Sequence, residues 1–202
     1  MNSNKVSSAW KMIVAGEEAE KLNVIYQKAF EAASFRTPCL QSYGSEDFIH
    51  VLGDKEVVKM ISYFDEEPVG MALVTGNLDK VPWINKNFYR HNFPEYFDKK
   101  MIFYVKSILV VPEMQDVLTG EEQTRIITKL IKMIEEYLPE NSIFCFDNSY
   151  VLNNWFAKFL LQTTPSVHPL SSGWEDGLDK QFYYAFLKNF EKGYGKKIAK
   201  EA

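Results

Sequence analysis

The sequence predicts one mixed α/β domain, a central mixed sheet flanked by helices. Three observations carry that expectation. Apolar residues fill 46% of the 202 positions and charged residues 25%, the balance of a folded chain with one good-sized core. Runs rich in β-branched and aromatic residues take turns with runs of helical apolar period. In the second half a strand-like run, a long amphipathic run and another strand-like run follow in that order, which suggests a parallel crossover pair.

Residues 1–9 are polar and read as a flexible N-terminus, 10–190 as the single domain, and 191–202 as a basic C-terminal tail. Trp10 to Val14 reads as a short first strand, broken at Ala15-Gly16. From Glu17 to Ala33 the apolar positions Ala19, Leu22, Ile25, Tyr26, Ala29 and Phe30 keep a helical period. A second short helix is expected between Ser45 and Leu52. Val57–Phe64 and Val69–Thr75 read as a hairpin around the turn Asp65-Glu66-Glu67-Pro68.

Gly76 to Lys100 carries Trp83, Phe88, Tyr89, His91, Phe93, Tyr96 and Phe97 among polar residues. It is too aromatic for a solvated linker and reads either as a cap over the sheet or as a substrate-lining segment. Met101 to Val111 is the strongest strand, its apolar run interrupted by Lys106 and Ser107 and ended by Pro112. Residues 113–120 connect it to a helix over Glu121–Leu138, striped by Ile126, Ile127, Leu130, Ile131, Ile134 and Leu138. Thr119 and Glu122 have the spacing of a capping box. Ser142–Phe146 reads as a strand, Asp147-Asn148-Ser149 as a turn, Val151–Leu161 as a helix, 162–180 as loop, and Gln181–Leu187 as a final strand.

Composition excludes several function classes. The net charge is -4, and the one dense basic patch, Lys192, Lys196, Lys197 and Lys200, lies in the tail, so no nucleic-acid partner is expected. No apolar stretch approaches the ~18 residues of a membrane span, and no signal-peptide region opens the chain, so the expected location is cytoplasmic. Cys39 and Cys145 form no CxxC pair or disulfide framework. His50, His91 and His168 are scattered, which argues against a zinc site, and no metal is expected. The sequence has no GxSxG elbow, Walker loop or dinucleotide fingerprint.

A long strand, a loop and a helix N-terminus together offer unpaired N–H groups to a pyrophosphate. In this order of elements the chain resembles the GCN5-related N-acetyltransferase (GNAT) superfamily over roughly residues 10–188. Val110-Val111-Pro112 looks like that family's strand end before the cofactor loop, Asp147-Asn148 like the end of its next strand, and Tyr183-Tyr184-Ala185-Phe186 like its last strand. The family's loop carries Gln or Arg and two closely spaced glycines. Here Gln115 matches the first position and Gly120 is the single glycine, so the loop is a degenerate one. Trp155 stands near the family's tyrosine acid, which leaves Tyr150 as the nearest phenol.

The resemblance implies transfer of an acetyl or other acyl group from acyl-CoA to a primary amine by direct attack. Acetyl-CoA or another acyl-CoA would be cosubstrate, held by Val110, Val111, Gln115, Leu118, Thr119, Gly120, Glu121, Glu122 and Asn148. The backbone N–H near Val110 would polarise the thioester carbonyl. Tyr150 is the candidate acid, and His91 and Glu95 are candidate bases. The acceptor would be a small-molecule or peptide amine, the protein a monomer or homodimer. The alternative is a catalytically inactive domain of the same fold that binds a ligand or a protein.

Overall fold

A computed structural model describes residues 6–34, 41–111, 120–149, 167–175 and 181–188. The elements in chain order are β1 (Val6–Lys11), α1 (Gly16–Ser34), α2 (Ser45–Gly53), β2 (Val57–Phe64), β3 (Glu67–Thr75), α3 (Lys86–Asn92), α4 (Pro94–Asp98), β4 (Ile102–Val110), α5 (Gly120–Tyr137), β5 (Ile143–Ser149), β6 (Val167–Glu175) and β7 (Gln181–Lys188). A single 3-10 turn, Leu78–Lys80, follows β3.

The strands form one sheet in the order β1-β2-β3-β4-β5-β7-β6. Every neighbouring pair is antiparallel except β4 and β5, which run parallel on either side of α5. The predicted crossover is therefore present. Gly16 turns the chain into α1 at φ 63°, a conformation that glycine adopts without strain. Two residues close the β2–β3 hairpin, and both Asp65 and Glu66 have positive φ, as the twist of paired strands requires.

Among the described side chains, the sheet carries a buried core on each face. On one, Val58, Met60, Ala72, Val74, Val105, Phe144 and Phe146 pack against Ile126, Leu130, Ile131 and Ile134 of α5. On the other, Val57, Ile61, Met71, Leu73 and Leu109 pack against Leu22 and Tyr26 of α1 and Phe48 and Leu52 of α2. That second face continues under the 3-10 turn, α3 and α4, where Leu78, Val81 and Tyr89 cover Ile102, Tyr104, Ile143 and Cys145. The aromatic segment thus caps the sheet. No helix among the described residues is long and apolar enough to cross a membrane.

Three expectations need correction. The first strand begins at Val6, not Trp10, and ends at Lys11: Ser7 and Ser8 belong to an edge strand paired with Tyr63 and Ser62 of β2. Asp147-Asn148-Ser149 is not a turn but the end of β5, paired with Tyr183, Phe182 and Gln181. Within the expected loop 162–180, Val167–Glu175 is a strand that pairs with β7. The helix expected over Val151–Leu161, the Thr119–Glu122 box and the 191–202 tail lie outside the described residues or side chains.

Gly70 sits where β3, β4 and α5 converge. A Cβ there would lie 3.0 Å from the Leu109 carbonyl oxygen and 3.1 Å from Ile126 Cγ2. The backbone carbonyl cannot retreat without moving β4. Gly70→Ala should therefore lower unfolding free energy by about 1–3 kcal/mol, read as a shift in the urea midpoint. Glu66→Gly should do the opposite. Relieving the left-handed strain at φ 71° should stabilise by roughly 0.5–1 kcal/mol.

Candidate functional site

The site begins where two strands part. β4 and β5 pair over only three rungs, Ile102–Ile143, Phe103–Phe144 and Tyr104–Cys145. Beyond Tyr104, β4 continues with β3 to Val110, while β5 continues with β7 to Ser149. The result is a fork, open towards the C-terminal ends of both strands. At its crotch the Tyr104 hydroxyl donates a hydrogen bond to the Asp147 carboxylate. Tyr104 is buried and Asp147 half-buried.

Backbone direction along β4 can be read from its ladder. The Val111 N–H donates to Val69 O on the β3 side, at 2.9 Å. Successive amides of a strand point to opposite edges. The Val110 N–H and carbonyl therefore face the fork. Val110 is half-buried, and the Val111 side chain joins the core under α5. Gly120, Glu121 and Glu122 form the first turn of α5. Asn148, in β5, is paired with Phe182.

A bulge marks β4 halfway along the fork. Leu73 pairs with Ser107 and Val74 with Val105, so Lys106 is an extra residue on β4. It re-aims the Lys106 ammonium, which donates to the Lys80 carbonyl. The same nitrogen lies 5.0 Å from the Tyr43 ring centroid and 5.9 Å from that of Trp83. The two rings are 5.5 Å apart. With Gln41, Ser42, Asp47 and Pro82 they line an open cavity of about 670 Å³.

Helix α1 positions this wall. The Tyr43 N–H donates to the Tyr26 hydroxyl at 3.1 Å, Gln27 Nε2 donates to the Tyr43 carbonyl at 3.2 Å, and Asn23 Nδ2 donates to Ser45 Oγ at 2.5 Å. Yet Tyr43 Oη, Trp83 Nε1 and Ser107 Oγ are buried without a hydrogen-bond partner. No carboxylate among the described residues pairs with Lys106. Burial lowers the Lys106 pKa to about 8, Asp54 opposing and Lys80 and Lys59 adding to the shift.

Lys59 is the structural counterpart. It is fully buried, and its ammonium donates to Met12 O at 2.9 Å and Asp54 O at 2.6 Å. Burial brings its pKa to about 8 as well, against the pull of Asp54. A second cavity, of about 680 Å³, lies beside α3. Its charges largely satisfy one another: Lys86 pairs with Asp79, Asn77 donates to Glu56, and Arg90 stacks on Phe97 at 4.8 Å.

Of the predicted site residues, Val110, Val111, Asn148 and the start of α5 are backbone neighbours of the fork or its two strands. His91 and Glu95 are exposed on α3 and α4, over the paired end of the fork, and neither lines the 670 Å³ cavity. Among the described residues Glu95 lies 4.0 Å from Lys99. Tyr150, Gln115, Leu118 and Thr119 lie outside the described residues. Sequence reasoning did not single out Tyr43, Ser107 or Asp147 as site residues. The interruption of an apolar strand by Lys106-Ser107 was the available signal. Among the described residues no cluster of His, Cys, Asp or Glu is placed to hold a metal ion.

No protein-family model matches the sequence, and no curated protein matches it significantly. Solved structures do match in fold. The ribosomal-protein-S18-alanine N-acetyltransferase from Escherichia coli aligns with 93% of this chain and 98% of its own, at TM-score 0.51 and 10% identity. An N-acyl amino acid synthase from uncultured soil microbes aligns over 91% of each chain at TM-score 0.57 and 10% identity. The diaminobutyrate acetyltransferase of Paenibacillus lautus, solved with L-2,4-diaminobutyric acid and coenzyme A, covers 94% of this chain and 99% of its own at TM-score 0.53 and 12% identity. The fold shared with these structures is a mixed central sheet between helices.

The two lysines give stability a distinctive pH profile. Their folded values lie below the ordinary 10.5, so the unfolded chain binds more protons between about pH 8 and 10.5. Stability should rise with pH from about 8 to 9.5. Above that, the Cys145 thiol and the Tyr26 and Tyr43 phenols, all raised by burial, reverse the trend as the unfolded chain loses their protons. Urea midpoints across pH 7–10 should show the rise, and Lys106→Met should flatten part of it.

Proposed function

We propose that the protein transfers an acyl group from an acyl-CoA to a primary amine, by direct attack of the amine within the β4–β5 fork. The observation that carries this reading is the free edge of β4 inside the fork, with the Val110 N–H directed into it. An exposed strand edge accepts an extended, amide-bearing chain by backbone pairing. The pantetheine arm of CoA is such a chain. The first N–H groups of α5 suit its pyrophosphate, since they have no partner within the helix.

The thioester supplies the electrophile. The chain's own groups then have three tasks. The Val110 N–H faces the place where charge develops on the carbonyl oxygen and stabilises it there. The fork holds amine and thioester in line, which replaces a bimolecular encounter with a positioned one. The amine must lose a proton, and the Asp147 carboxylate, held at the crotch by the Tyr104 hydroxyl several residues back along the fork from Val110, accepts it by way of water. The nitrogen bonds to the carbonyl carbon, the carbon–sulfur bond breaks, and the thiolate leaves and takes up a proton from water. The solved neighbours in this fold act on protein, amino-acid and diamine acceptors by their names, and this supports an amine acceptor in general.

Calorimetric titration with acetyl-CoA, beside free CoA, tests the reading. Saturable binding in the micromolar range is expected. A folded protein that binds neither ligand up to millimolar concentration removes acyl-CoA from the account and leaves a ligand-binding domain of the same fold. In an amine-acceptor assay, Asp147→Asn should lower kcat by about 100-fold. Val110→Pro deletes an N–H that the β3 ladder does not use, and should cost about 100-fold in kcat with acetyl-CoA affinity altered far less.

A further inference from the structure

We propose that the 670 Å³ cavity binds an organic ammonium ion, its charge set against the Asp47 carboxylate and its apolar body along the Tyr43 and Trp83 rings, Val51 and Pro82. This rests on the acyl-transfer reading only in making the cation a second charged group of the acceptor, beside the amine that attacks; the preference for a cation stands on the cavity itself.

Among the described residues Asp47 is the one charged group on the lining, and no lysine or arginine faces it there. It stands in the first turn of α2 and has no hydrogen bond or ion pair with another side chain. Neighbouring acids are engaged: Asp54 and Glu56 hold Lys80 at 2.7 Å and 3.2 Å. A carboxylate in that turn also favours the helix dipole. Glu46, the other acid of the turn, serves the dipole equally and does not line the cavity. The field of Asp47 reaches the wall. The Tyr43 phenol is raised by burial first, then by Tyr26 and by Asp47.

The wall itself suits a cation. Tyr43 and Trp83 are half-buried, with the phenol oxygen and the indole nitrogen enclosed. The surface they offer a ligand is therefore ring. Their centroids lie 5.5 Å apart at an interplanar angle of 59°, so the two rings make a corner. An aromatic face attracts a cation within about 6 Å. Lys106 already uses these rings, at 5.0 Å and 5.9 Å, but it is absent from the lining and donates to the Lys80 carbonyl. Its charge opposes a second cation, and the lining carboxylate offsets that opposition. An anion would meet Asp47 as a like charge, and a neutral ligand would leave it uncompensated. Gln41 and Ser42, also on the lining, carry side-chain oxygens that can accept from an ammonium. The volume is that of a small-molecule site.

Calorimetric titration of the full chain at neutral pH with n-pentylammonium chloride, against 1-pentanol as its uncharged counterpart, tests this. The ammonium should saturate, with the alcohol about fivefold weaker or more. Asp47→Asn should weaken the ammonium about threefold and leave the alcohol unchanged. Glu46→Gln, which removes the same charge from the same turn but off the lining, should leave both unchanged. Near-ultraviolet circular dichroism checks that each variant is folded, and the comparison of ammonium with alcohol on the unaltered chain needs no variant. Equal affinity for ammonium and alcohol, an equal loss in Glu46→Gln and Asp47→Asn, or no ammonium bound up to about 10 mM overturns the proposal. Acetyl-CoA titration on the same samples separates the two readings. Ammonium preference without acetyl-CoA binding ends the acyl-transfer reading and leaves this site standing, and the reverse result ends this one.

Discussion

Everything distinctive in this molecule follows from the parting of β4 and β5 after three rungs. A strand inside a sheet normally spends both edges on its neighbours. β4 gives one edge to β3 over most of its length, and its other edge to β5 only from Ile102 to Tyr104. β5 cannot follow it, because its own far edge is paired with β7 over seven residues. The divergence leaves backbone donors and acceptors of β4 facing a space within the fold. Free strand edges are usually covered, charged or shortened. Here the edge lies in a cleft, where a ligand with matching amides can complete the ladder.

The bulge at Lys106 belongs to the same constraint. An extra residue bends a strand and increases its local twist. It falls two residues past the last rung shared with β5 and sends a lysine and a serine out of an otherwise apolar run. Lys59 shows what the fold does with a buried ammonium whose role is structural: it is fully enclosed and joined to two carbonyls from different segments, Met12 and Asp54. Lys106 has one carbonyl and two aromatic faces. The two lysines stand on the strands that flank β3, and the contrast separates a clamped ammonium from one with hydrogen-bonding capacity to spare.

Much of the architecture was legible because it is local. The stripe of Leu22, Ile25, Tyr26 and Ala29 specifies α1, that of Ile126, Leu130 and Ile134 specifies α5, and a short polar turn between two β-branched runs specifies the hairpin. The strand, helix, strand order was enough to expect β4 and β5 side by side and parallel. What failed was polar strand. Ser7 and Ser8, Asp147-Asn148-Ser149, and the stretch around Pro169 and Gly173 have turn-like composition, yet all are extended by pairing with a distant strand. Tertiary pairing overrides local preference there. The site was harder still. Tyr43, Trp83 and Lys106 come from three segments, and no spacing rule links them. Asp147 was hidden by the turn reading of its own tripeptide.

The inactive alternative would have the fork filled by side chains from 83–97 or by Trp155, and of these only the aromatic segment lies among the described residues. Its helices α3 and α4 instead pack over the paired end, onto Ile102, Tyr104, Ile143 and Cys145. Trp83 reaches the open side, but it lines a cavity and leaves its indole N–H without a partner. A side chain recruited only to plug a cleft gains by apolar contact and by satisfying its polar atom. Tyr43, Trp83 and Ser107 together forgo three hydrogen bonds, each worth about 1–3 kcal/mol when a buried group is left unmet. That is a substantial share of the 5–15 kcal/mol that typically holds a domain together. That cost is carried by Tyr43, Trp83 and Ser107, and no hydrogen bond of the fold offsets it.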